Sequence, residues 1–237
     1  MERKKLSFIL KALIALISFA GVIIACIFAE RDGYSHWTKR LLYFTQLSNI
    51  WIGATALLFV AFGALKMRTG EDKTPKWLHS LRFAFTVSIT VTGIIFCGFL
   101  APFASDDYPA WTFASVLTHV IVPLLSIADF FVDGSEAGFT KKHALYGVIP
   151  PAVYFFVASI LCAFKVDFGR GDPYPYFFMN YYSSVGIFGT DMSAKPYPEI
   201  GPFYWICLFL VLVFGLSFAF YKLHGRVHGK KTENKDS

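Results

Sequence analysis

Residues 41–65 read LLYFTQLSNIWIGATALLFVAFGAL, an unbroken stretch without one charged side chain. At about 1.5 Å per residue, a helix of that length exceeds the roughly 30 Å hydrocarbon core of a bilayer. A membrane strand would need about 10 residues alternating between apolar and polar, and no such alternation occurs here. Lipid offers no partner to backbone N–H and C=O groups, so a segment this long satisfies them as a helix.

Five more blocks are similar, with Lys11 as a single charge near the start of the first. They cover about 6–29, 83–104, 108–128, 144–164 and 200–221. Charged residues make up 16% of the 237, against about 25% in a soluble domain. Mean hydropathy is +0.52. The expected architecture is all-α: a single six-helix transmembrane domain spanning 1–237, with both termini cytoplasmic.

Orientation follows from Lys and Arg in the connections. One side carries 15: Arg3, Lys4, Lys5, Lys66, Arg68, Lys73, Lys76, Arg82, Lys141, Lys142, Lys222, Arg226, Lys230, Lys231 and Lys235. The other carries 5: Arg31, Lys39, Arg40, Arg170 and Lys195. The basic side is expected to face the cytoplasm. The +6 net charge then reflects topology and attraction to anionic headgroups rather than nucleic-acid binding. The cytoplasmic tail, 222–237, reads as solvated chain.

Cys26, Cys97, Cys162 and Cys207 lie inside apolar blocks with no CxxC or Cys/His spacing. Packed thiols are the expectation, with no disulfide, metal site or cofactor. Ile23-Ile24-Ala25-Cys26 loosely fits a lipoprotein cleavage box, but the apolar stretch is longer than a signal-peptide core of 7–15 residues. An intact helix is the expected form.

Two connections are long. Lys66–His79 is charged and turn-rich. The external segment 166–199 holds seven Tyr or Phe residues between Tyr174 and Phe188, with many Gly and Pro. Flexible linkers are not so aromatic, so a lid packed on the bundle is expected. Pro150-Pro151 should kink the fifth helix.

Polar groups are costly in lipid, so those within spans point to function. Thr45, Ser48 and Asn49 share one helical face of the second span, continued by Gly53. Ser115, Thr118 and His119 share one face of the fourth, ahead of Pro123. Alone, each set reads equally as helix-packing glue. Thr86, Thr90, Gly93 and Cys97 form a small-residue stripe suited to close packing. His119 is the only histidine well inside an expected span; His36, His79, His143, His224 and His228 fall at ends or in loops. Asp129 is expected near the inner interface, about 15 Å along the helix from His119, too far to orient it. Asp106 and Asp107 should be solvated. No charged residue is expected deep in a span, which argues against ion transport. By helical rise Thr45 lies about 6 Å into its span and His119 about 17 Å into its own. Tilt, or a later start of the fourth span after Pro109, would bring them level.

The FTQLSN start of span two, the THVIVPLLSIADFF run of span four and the YPYFFMN segment resemble the bacterial Pr6Pr membrane proteins. These are similar in turn to the eukaryotic androgen-induced/FAR-17a family. The resemblance covers most of 43–189 in order. The eukaryotic relatives are intramembrane threonine hydrolases that cleave fatty acid esters of hydroxy fatty acids with a Thr and a His. The matching positions here are Thr45 and His119. The eukaryotic His-to-Pro spacing is one residue longer and lacks the Ser-Asn pair, so the bacterial branch is the better match.

The resemblance implies a threonine hydrolase acting on a lipid ester. Thr45 would be the nucleophile and His119 its base. Asn49 would donate to the oxyanion or orient the His, with Ser48 and Ser115 in support. The partners would be a lipid substrate and the bilayer. The alternative is a non-enzymatic lipid-binding or scaffold protein in which Thr45 and His119 join helices. There is no GxSxG elbow and no HExxH, so serine-hydrolase and zinc-protease chemistry have no support.

Overall fold

The computed structural model describes residues 2–103, 110–133, 139–194 and 199–228. The sequence expectations for Asp106, Asp107, Pro109 and the end of the tail lie outside them. Six helices are long and apolar enough to cross a membrane: Glu2–Ile27, Phe44–Thr69, Lys76–Leu100, Phe113–Val132, Lys141–Ala163 and Pro202–His228. The protein is an all-α, multi-pass integral membrane protein. Most helices run past their apolar blocks into charged flanks, because backbone hydrogen bonding continues where the lipid-facing residues stop.

Local chemistry sets the ends. The second span stops at Gly70, whose φ of 77° lets its N–H close on the Lys66 carbonyl at 2.8 Å. The fourth starts at Thr112, whose hydroxyl accepts from the Ser115 N–H. The fifth does not kink within a continuous helix. It breaks at Gly147-Val148 into Lys141–Tyr146 and Ile149–Ala163, and Pro150-Pro151 occupy the first turn of the second piece. A missing N–H costs nothing there, because first-turn donors have no helical acceptor anyway.

The third span is central, with 67% of its apolar window buried. It touches the second, fourth, fifth and sixth spans, while the first packs on the second and fourth. Small residues allow the close approaches. A Cβ on Gly21 would meet Thr118 Cγ2 at 2.7 Å, one on Gly53 would meet Ser18 Cβ at 2.9 Å, and one on Gly93 would meet the His119 carbonyl at 3.0 Å. The small-residue stripe of the third span is thus a packing surface at Gly93, whereas Cys97 is exposed.

The external segment packs on the bundle. Phe168, Phe178 and Met179 are fully buried. Thr190–Asp191 (β1) and Glu199–Ile200 (β2) form a small antiparallel ladder. The first external connection anchors its start: Ser35 N–H donates to the Gly169 carbonyl and Lys39 Nζ to that of Asp167, both at 2.7 Å.

At the basic face charged side chains are drawn into the bundle. Arg82, counted among the loop residues, is buried inside the third helix, and Lys11 and Asp129 are buried too. Lys11 Nζ lies 2.9 Å from Asp129 Oδ1 and 2.8 Å from Asp133 Oδ2. Arg82 lies 3.1 Å from Asp129 Oδ2 and 2.6 Å from Asp133 Oδ2. Ser7 adds a bond of 2.7 Å to Asp129. Two cations and two carboxylates thus neutralise one another and tie the first, third and fourth spans together. His224 is also buried, within a sixth helix that runs on to His228.

Candidate functional site

The second helix begins abruptly. Tyr43 is extended (φ −91°, ψ 140°) after the short 3-10 turn Trp37–Leu42, and its carbonyl accepts the N–H groups of Gln46 and Leu47. Thr45 is therefore the second helical residue, and it is buried. The fourth helix starts at Phe113 and contains a π-helical turn, Leu117–Ile121, that carries His119. Counted from these starts, Thr45 lies about 1.5 Å and His119 about 9 Å along its helix, so the later start removes part of the offset and the packing of the two helices takes up the rest. Single π-turns inserted in helices frequently lie at functional sites.

The structure brings the two side chains together: Thr45 Oγ1 lies 3.1 Å from His119 Nε2. The tautomer follows from the neighbours. His119 Nδ1 lies 3.0 Å from the Ser115 carbonyl, which can only accept. Thr118 Oγ1, 3.2 Å from Nδ1, gives its own proton to the Ala114 carbonyl. Nδ1 must therefore carry the ring proton, leaving the Nε2 lone pair to receive the Thr45 proton. Phe96, in the facing π-turn Phe96–Leu100 of the third span, stacks on the imidazole at 3.9 Å and 20°. The ring is held on one face by Phe96 and at both nitrogens by hydrogen bonds.

The supporting residues take different parts from those expected. Asn49 Nδ2 donates to the carbonyls of Thr45 (2.8 Å) and Thr118 (3.1 Å). Both its protons are used, so it neither serves an oxyanion nor touches His119; it fastens the second span to the turn bearing the histidine. Ser48 Oγ bonds the Thr45 carbonyl at 3.1 Å and Thr92 Oγ1 at 2.8 Å, a link to the third span. Ser115 contributes its carbonyl, while its hydroxyl accepts from Thr112 at 3.0 Å. The bonds within one helix follow from its spacing, whereas those of Asn49 to Thr118 and of Ser48 to Thr92 come from tertiary packing, the part the helix-packing reading gives these residues.

Thr45 opens onto a narrow apolar cleft, about 410 Å³ with the open space at its mouth included, lined also by Val91, Ile95, Leu100, Phe155 and Phe178. Two phenols that sequence reasoning passed over, Tyr154 and Tyr176, complete its polar end. The sequence signals for Tyr176 were the aromatic density of segment 166–199 and its place in the YPYFFMN run. No group of three or more His, Cys, Asp or Glu suited to a metal occurs among the described residues. Comparison with protein-family models, curated proteins and solved structures finds no match for this chain.

Proposed function

We propose that this protein is an integral-membrane threonine hydrolase, of the bacterial cytoplasmic membrane, that cleaves a lipid ester. The observation that carries the reading is the Thr45–His119 contact of 3.1 Å at the head of an apolar cleft. Thr45 Oγ1 attacks the ester carbonyl while its proton passes to His119 Nε2. The tetrahedral adduct collapses, the C–O bond to the alcohol breaks, and His119 returns the proton to the leaving oxygen. His119 then activates water to hydrolyse the acyl-threonine. The Ser115 carbonyl holds the tautomer and accepts from the imidazolium, a neutral stand-in for the carboxylate of a catalytic triad. The resemblance to the Pr6Pr and androgen-induced/FAR-17a proteins supports the same assignment at the same two positions.

The cleft also favours a second reading, a lipid-binding protein without turnover, since its walls suit an acyl chain whether or not chemistry follows. Purified protein in detergent, given a long-chain fatty acid ester, separates the two. Wild type should release free fatty acid; Thr45→Ala and His119→Ala, checked for an unchanged elution profile, should not. Full activity in both variants sinks the hydrolase reading, and ester binding without release by wild type favours the second.

A further inference from the structure

The hydrolase reading leaves the developing oxyanion without a side-chain donor, because both Asn49 protons are committed to backbone carbonyls. A tetrahedral alkoxide in an apolar cleft needs one.

Two phenols face this end of the cleft. Tyr154 gives its proton to the Leu42 carbonyl at 3.1 Å. Tyr176 comes from the external segment, wedged by an edge-on contact with Tyr43 (5.6 Å) and a stack on Phe178 (4.9 Å). It lines the cleft beside Thr45 and Tyr154, and its hydroxyl interacts with the hydroxyl and backbone N–H of Thr45 and with the Tyr154 hydroxyl. Burial pushes the Tyr176 phenol well above its ordinary titration range, so it stays protonated at neutral pH. The Thr45 proton is directed at His119, and the Tyr154 proton at Leu42. With those two protons committed, the Tyr176 proton rests toward the Tyr154 or Thr45 oxygen and is the one that can turn to a carbonyl oxygen bound in the cleft.

We infer that Tyr176 is a further catalytic residue, donating its O–H to the carbonyl oxygen of the ester attacked by Thr45. The inference rests on the hydrolase reading above. As the Thr45 Oγ–C bond forms, the carbonyl π pair moves to oxygen, where the Tyr176 O–H and the Thr45 N–H receive it. When the pair returns, the bond to the alcohol breaks and the Tyr176 hydroxyl is unchanged. The acyl chain lies along Val91, Ile95, Leu100, Phe155 and Phe178, so the substrate class is a neutral ester with a long acyl chain. The external segment thereby acts as more than a cover: it delivers the donor.

The test compares full-length wild type, Tyr176→Phe, Tyr176→His and Thr45→Ala for hydrolysis of a long-chain fatty acid ester. Each is also assayed for affinity toward a trifluoromethyl ketone bearing the same chain, which forms a tetrahedral adduct. Tyr176→Phe should lose about 100-fold in kcat, with KM within about threefold, and bind the ketone correspondingly less. Tyr176→His, which keeps an N–H donor, should recover part of kcat. Wild-type kcat in Tyr176→Phe beside an inactive Thr45→Ala overturns this inference and leaves the hydrolase reading standing. A rise in KM with kcat unchanged, or loss of folding in both Tyr176 variants, assigns Tyr176 to packing and also overturns it. Full activity in Thr45→Ala removes the hydrolase reading itself.

Discussion

The carbonyl of Ser115 lies 3.0 Å from Nδ1 of His119, and this single backbone contact decides which nitrogen faces Thr45. The acceptor lies one turn back on the same helix, two residues before the π-turn that carries His119.

Substitution at Thr45 should separate hydroxyl chemistry from shape. Thr45→Ser keeps the oxygen and is expected to retain measurable turnover. Thr45→Val keeps the volume, loses the hydroxyl and should abolish turnover while shifting stability by only about 1 kcal/mol. Ester hydrolysis and thermal unfolding in detergent check both, and a Thr45→Val enzyme with wild-type turnover refutes the role of the hydroxyl.

Lys11, Arg82, Asp129 and Asp133 should behave as a unit. Lys11→Met leaves the carboxylates short of one cation and is expected to cost about 3–5 kcal/mol. Lys11→Met combined with Asp129→Asn restores charge balance around the remaining Arg82–Asp133 pair at 2.6 Å, and should recover much of that loss. Strict additivity in this double-mutant cycle would show that the contacts are not coupled.

Acid should reach the same cluster through Asp133, just beyond the end of the fourth span. Burial there opposes ionisation, but the Arg82 and Lys11 cations more than offset it, and the folded pKa lies below the usual aspartate value. A depressed folded pKa contributes stability above the unfolded value of about 4, which is lost as pH falls through the folded one. The thermal midpoint should therefore hold from neutral pH down to about 5 and drop below about 4. In Asp133→Asn that acid-dependent drop should be smaller; an unchanged profile would place the titrating group elsewhere.

Gly21→Ala tests the packing that sets the position of His119. The added methyl would sit 2.7 Å from Thr118 Cγ2, whereas the same change at Gly215 meets nothing within 4 Å. Gly21→Ala should cost about 1–3 kcal/mol, with loss of activity through displacement of the turn bearing His119. Gly215→Ala should be neutral or mildly stabilising, as expected when Ala replaces Gly in a helix. Equal melting temperatures for the two variants would contradict the close approach.

Parts of this molecule were legible residue by residue. The block 41–65 announced a span because hydropathy is a sum over neighbours in sequence, and the aromatic density between Tyr174 and Phe188 announced a packed segment for the same reason. Thr45 and His119 were legible as candidates through the resemblance and through the scarcity of polar groups in their spans. Lys11 and Asp129 were visible too, each as a lone charge at the margin of an apolar block. Nothing local said that they would meet, since 118 residues separate them.

The sequence by itself determined six apolar helices and an uneven distribution of positive charge, because bilayer thickness and charge placement act on contiguous segments. Only the tertiary structure decided that Lys11 meets Asp129, that Asn49 spends its protons on backbone carbonyls, and that Thr45 and Tyr176 share one cleft. Those outcomes depend on where each helix starts, how it tilts and which small residues admit a neighbour. Such quantities arise from packing between spans, where a shift of one residue along a helix moves a side chain by about 1.5 Å and turns it by about 100°.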